Sequence, residues 1–139
     1  MEREFENEFG KTFSKVSYLH DFCTVVVEWH GYTTNQQIEQ VTNWIEEQAR
    51  FMPCTSIMND CSKIISVWAD SLQWFSRNWM PKMQGIGVTN FIHVAKPNTF
   101  GDKIGKSLRS ILDSQVRFHT FGNKKEAMEW LENYNTTSC

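Results

Sequence analysis

The run Cys23-Thr24-Val25-Val26-Val27-Glu28-Trp29 constrains this chain more than any other stretch of it. It is rich in β-branched residues and too continuously apolar for a sheet edge washed by water, so it reads as an interior strand. A sheet with such a strand needs other elements packed against it. The rest of the chain supplies them, because strand signals and helix signals alternate along its length.

Before that run, Thr12 to Leu19 is a weaker strand, with His20-Asp21 as the turn between the two. After Gly31, Thr33 and Thr34 can cap a helix in which Ile38, Val41, Ile45, Ala49 and Met52 recur at three- and four-residue steps. Pro53 ends it. Thr55 to Asn59 predicts a short strand running into Asp60. Asp70 or Ser71 can then cap a second helix with Leu72, Phe75, Trp79 and Met83 on one face. Pro81 inside it removes a backbone donor and should kink or split the helix near Arg77. Thr89 to Ala95 is the next strand. Pro97-Asn98-Thr99 turns into a helix with Phe100, Ile104, Leu108 and Ile111 on its buried stripe. Val116 to Phe121 is the last strand. Asn123 caps a final helix in which Ala127, Trp130, Leu131 and Tyr134 pack inward. The expected class is α/β, with residues 1–11 as a loose acidic tail and 12–139 as a single domain.

Composition sets the bounds. A chain of 139 residues, 40% hydrophobic and 22% charged, is globular in character, and six Trp and ten Phe supply a core without crosslinks. No stretch is long and apolar enough for a membrane span. The first eight residues carry four Glu and no apolar run, unlike a signal peptide, so the expected location is the cytoplasm. In that compartment the four cysteines read as free thiols, and the sequon Asn135-Thr136-Thr137 carries no weight. Cys54 and Cys61 are too far apart for a zinc knuckle, and no two His are spaced as helix-borne ligands, so no metal and no cofactor are expected. A net charge of −2 speaks against a nucleic-acid partner. The charge is nonetheless uneven: residues 1–60 have four basic and ten acidic side chains, and residues 61–139 have ten and six. Mixing over a folded surface accounts for this; a basic face for an anionic partner is the sharper alternative.

Trp29-His30-Gly31, Asn59-Asp60, the Asp70 to Trp74 helix start, Phe91 to Ala95 and the terminal Lys125-Glu126-Ala127-Met128-Glu129-Trp130-Leu131 resemble the STAS/SpoIIAA-like group. Within that group the likeness is to small bacterial single-domain STAS/SEC14-type proteins, over roughly residues 12–134. The resemblance implies a mixed four- to five-stranded sheet with about four helices packed mainly on one side. It also implies a regulatory, protein-interaction role. In the anti-sigma-factor-antagonist branch a serine at the start of the second helix is phosphorylated near an aspartate ending the preceding strand. The matching positions are Ser71 and Asp60. The connection between them is about two residues longer than in that branch, and Ser71-Leu72-Gln73 replaces its Ser-Ser-Gly.

Asp60, Ser62, Asp70 and Ser71 are expected near the carboxyl ends of strands, where α/β sheets bind ligands and partners. The competing reading is an ordinary turn, with Asp60 on local amides and Ser71 capping its helix. His30 sits at a strand exit, as a general base does, although most such histidines decorate turns. Trp68, Trp74 and Met80-Pro81 cannot all face inward on one helix. Those left outside would form a dimer surface or the lip of an apolar pocket. Gly101-Asp102-Lys103-Ile104-Gly105-Lys106-Ser107 imitates a P-loop, but its glycine spacing is one short and an amphipathic helix runs through it. There is no Gly-x-Ser-x-Gly elbow. The expectation is a non-enzymatic module binding a protein partner, with a homodimer as one arrangement. The alternative is a carrier or sensor of a small apolar or anionic ligand, held between the second helix and the sheet.

Overall fold

The computed structural model describes residues 1–134. Six strands form one mixed sheet in the order β1-β2-β3-β4-β5-β6. They are β1 (Glu2–Glu6), β2 (Thr12–Leu19), β3 (Thr24–Gly31), β4 (Ser56–Ile64), β5 (Asn90–Val94) and β6 (Arg117–Phe121). The first three pair antiparallel and β3 to β6 run parallel. The β-branched run lies in β3 from Thr24 onward, inside the sheet, with Val25, Val26, Val27 and Trp29 at most 1% exposed. The helices are α1 (Asn35–Ala49), α2 (Leu72–Trp74), α3 (Met80–Ile86), α4 (Phe100–Leu112) and α5 (Lys124–Tyr134), with a π-helical turn Phe75–Trp79 joining α2 to α3. Counting that joined rod once, four helices cover the sheet, mainly from one side, as expected for this α/β class, but the sheet has six strands against the expected four to five.

Two clusters fill the layers. The larger holds Trp29, Ile57 and Phe91 of the sheet against residues of α1, of the rod and of α4. The smaller holds Val26, Met58, Ile92 and Val94 under Ala127 and Leu131 of α5. Alternation along each strand therefore assigns every sheet residue to the α4 face or the α5 face.

Several expectations need correction. The first eleven residues are not a loose tail: β1 forms the sixth strand, because Phe5 is 2% exposed in the main cluster and anchors the acidic segment. β4 runs on past Asp60 to Ile64, so Asp60 lies within a strand and not at its end. The second helix is split where Pro81 required it, and the π-helical turn absorbs the missing donor without ending the rod. Ser71 makes no side-chain cap bond. Phe100 and Tyr134, expected inward, are among the exposed large side chains. Cys54 and Cys61 are free and buried, whereas Cys23 is disulfide-bonded, against the expectation of four free thiols. The sequon and Cys139 lie outside the described residues. No helix in the described residues is long and apolar enough to cross a membrane.

Candidate functional site

The expected site residues separate onto the two faces of the sheet. Asp60 follows Met58 by two, so it lies on the α5 face. There its Oδ1 accepts from Ser62 N at 2.9 Å and from Ser62 Oγ, and the residue is 8% exposed. Its register partner on β3 is Glu28. His30 shares this face, with Nε2 3.5 Å from Glu28 Oε1 but without a hydrogen bond to it; Lys124 Nζ lies 3.6 Å from the other Glu28 oxygen. A register shift after Glu28 sets His30 opposite Lys63, and no hydrogen bond joins His30 to Asp60.

Asp70, Ser71 and Trp74 belong to the opposite face. Ser71 is 2% exposed and its Oγ donates to Asn35 Oδ1 at the start of α1. Trp68 Nε1 donates to Thr33 Oγ1 and Trp74 Nε1 to Thr42 Oγ1, each at 2.9 Å. Three side chains of the 68–74 segment therefore fasten it to α1 and to the residues just before it. Asp70 stays exposed beside them. Ser71 and Asp60 are not brought together, and a phosphoryl group on Ser71 requires this fastening to open. Cys61 is no nucleophile: it is 1% exposed, and burial, then the charge of Asp60, pushes its thiol well above the ordinary value. Burial likewise holds Cys54 up at about 11.

Sequence reasoning missed a buried polar chain behind the site. Trp29 Nε1 donates to Asn59 Oδ1 at 2.8 Å, and Asn59 Nδ2 lies 3.2 Å from His93 Nδ1; His93 Nε2 lies 2.7 Å from the Gly101 carbonyl. The indole can only donate, so it orients the Asn59 amide. The Gly101 carbonyl can only accept, so Nε2 carries the proton and Nδ1 accepts from Asn59. The chain joins β3, β4 and β5 to the first turn of α4. Two polar residues inside otherwise apolar strands, Asn59 and His93, were the available signal.

Burial lowers the His93 pKa below the ordinary 6.5, against the opposing pull of the Gly101 carbonyl bond and of Asp60 and Asp102. Burial also lowers His119, helped by Arg117 and Arg109. A histidine whose folded pKa is depressed gives its full stability above the unfolded value and loses it as pH falls below that value. Melting temperature should therefore drop from pH 7.5 to pH 5, and His93→Gln should flatten the slope. Glu46 and Asp102, whose pKa values are lowered chiefly by bonds from Arg50 and from the Asn98 amide, weaken the fold only below their ordinary 4.5 and 3.8. An unchanged slope in the variant removes His93 from the account.

The exposed counterpart of this chain is an apolar rim at the carboxyl end of β4. A cavity of about 260 Å³ opens between the 67–72 segment and α4, walled by Val67, Trp68, Leu72 and Ile104, with Lys103 and Ser107 as polar members. Ser62, Ile64, Ile65, Phe100 and the same Lys103 line an adjoining groove. Ile65 is 63% exposed, Val67 53% and Phe100 47%. Lys103 makes no ion pair among the described residues and lies 5.9 Å from the Phe100 ring centroid. The expected pocket between the second helix and the sheet is filled by Phe75, Trp79, Met80 and Met83, all at most 1% exposed. The cavity lies beside that interface.

No protein-family model and no curated protein matches this chain. Among solved structures, one titled the anti-sigma factor antagonist SpoIIAA in its unphosphorylated form is similar at a TM-score of 0.61 and 16% identity, covering 86% of this chain and 96% of that one. At that identity the likeness is one of fold, and the fold of this chain is SpoIIAA-like.

Proposed function

We propose that this protein is a non-enzymatic regulatory module that binds another protein through the apolar rim at the carboxyl end of β4. The observation that carries this reading is the grouping of Ile65, Val67 and Phe100, all exposed, around Lys103, which has no ion pair among the described residues. Large apolar side chains are expensive to leave in water together, and such a patch ringed by polar groups marks an interaction surface. The buried chain through His93 and the fastening of residues 68–74 to α1 hold both walls of the rim in place. A preorganised surface spends less on ordering when a partner docks. The similar fold of SpoIIAA, named for its antagonism of an anti-sigma factor, supports a regulatory role of this general kind.

Val67→Asp combined with Phe100→Asp should weaken partner binding at least about tenfold, since hot-spot losses of about 2 kcal/mol are typical of such anchors. Both positions are exposed, so the melting temperature should hold. A variant that keeps its partner while staying folded overturns the reading.

A second reading rests on the cavity itself, which suits a small apolar group with an anionic end reaching Lys103. Native mass spectrometry of protein from its own host separates the two. A non-covalent adduct that vanishes on denaturation supports a carrier or sensor; a clean mass supports the docking module.

A further inference from the structure

Among the described residues the sheet ends in two unpaired edges of opposite charge. β1 borders only β2 among the described residues, and its Glu2, Glu4 and Glu6 are all exposed, Glu4 with Lys15 Nζ 3.4 Å away on β2. Phe5 points into the main core beside Trp44, so by alternation Glu2 and Glu4 lie on the α5 face. Arg3, on the other face, is turned onto the rings of Phe5 and Trp44. At the far edge, β6 borders only β5. Arg117 bonds Tyr134 and His119 stacks on Trp130, both residues of α5, so Arg117 and His119 also lie on the α5 face. Arg109 reaches over Phe118 from α4. Among the described residues neither Arg109 nor Arg117 has a carboxylate partner. Arg117 N donates inward to Thr89 O, and Phe121 O accepts inward from Ala95 N. In a parallel strand that leaves Phe118 and Thr120 with outward-facing backbone groups.

We propose that these edges pair with each other between copies of this chain, β1 of one copy seating along β6 of the next. Three geometric conditions agree. β1 is antiparallel to β2 and β2 to β3, while β3 to β6 are parallel, so β1 and β6 point the same way. A second copy that continues the sheet without turning over therefore presents β1 parallel to β6. Its Glu2 and Glu4 then fall on the same face as Arg117 and His119, where opposite charges on neighbouring strands attract. The like-edge alternatives fail on charge: β1 against β1 sets glutamates together, and β6 against β6 sets Arg117 against itself. Charged residues on edge strands commonly block such self-pairing. Here each edge blocks its own kind and admits the other. The contact is head-to-tail, so it extends a chain of copies and does not close a two-fold dimer.

Sedimentation velocity on the full chain tests this with a charge swap. Wild type should form species heavier than monomer that grow with concentration at about 20 mM salt and dissociate at about 500 mM. Glu2→Lys/Glu4→Lys and Arg117→Glu should each be monomeric under the same conditions. Their equimolar mixture should associate again, because a basic β1 then meets an acidic β6. Circular dichroism should show both variants melting near wild type, since the changed groups are exposed. A wild type that stays monomeric at all concentrations overturns the proposal. So does association that either variant leaves intact, or a mixture that fails to recover it.

Discussion

Replacing Asn59 with leucine should cost the fold about 4 kcal/mol. The asparagine is fully buried and joins three partners: the Trp29 indole, the His93 ring and, more weakly at 3.5 Å, the Cys61 sulfur. Leucine fills a similar volume but leaves the Trp29 N–H and the His93 Nδ1 without partners in a dry interior. Each orphaned group costs about 1–3 kcal/mol. For a domain whose whole stability is about 5–15 kcal/mol, that is a melting temperature lower by roughly 15 °C. Urea unfolding of Asn59→Leu measures it, and a loss under about 1 kcal/mol would show that the chain is not a stabilising network. A Trp29→Phe change should cost less in the Asn59→Leu background than in wild type, because the cavity cost is common to both while the donor it removes is already unpaired.

Adding methyl groups to α4 should be nearly as damaging, and here even the sign is informative. A Cβ on Gly101 would sit 3.0 Å from the Ala95 Cβ and nearer still to the Cys61 carbonyl oxygen, a backbone atom that cannot swing away. A Cβ on Gly105 would enter the His93 ring, which hydrogen bonds hold at both nitrogens. Glycine to alanine inside a helix ordinarily stabilises by about 0.5–1 kcal/mol. Overpacking of this kind costs about 1–3 kcal/mol at each site. The pair Gly101→Ala/Gly105→Ala should therefore lose about 2–4 kcal/mol. A gain in stability would mean that α4 is free to shift, and that the Gly101–His93 bond does not fix its position.

These glycines show where sequence reading stopped. The Gly101 to Ser107 stretch is the helix its apolar stripe predicts and not a phosphate loop, but the reason for its glycines lies in Cys61 and His93, which only the fold brings near. Periodicity located β3, α1 and the helix split at Pro81, since those depend on neighbours in sequence. It missed β1 because one buried ring, Phe5, outweighs four glutamates only once Trp44 is there to receive it. Phe100 sits on the right stripe of α4 for burial, yet it is exposed, while Gly101 next to it is the residue of that turn packed against the sheet. Asp60 and Ser71 look adjacent along a loop, but β4 continues to Ile64 and alternation turns Asp60 to the face away from Ser71. The apolar rim was legible only as a surplus of aromatic and aliphatic residues that one helix could not bury.

Under the proposed function the partner protein docks at the rim and not at the far end of the sheet. Site-specific photo-crosslinking in the native host tests it most directly, with the reactive side chain placed at Val67, at Phe100 and, as a control, at Phe51. Phe51 is 89% exposed, more than either rim residue, and follows the carboxyl end of α1 near the opposite end of the sheet. The account predicts one discrete protein adduct shared by Val67 and Phe100 and absent at Phe51. The same adduct at all three positions, or at Phe51 alone, would contradict it, as would no adduct at either rim position.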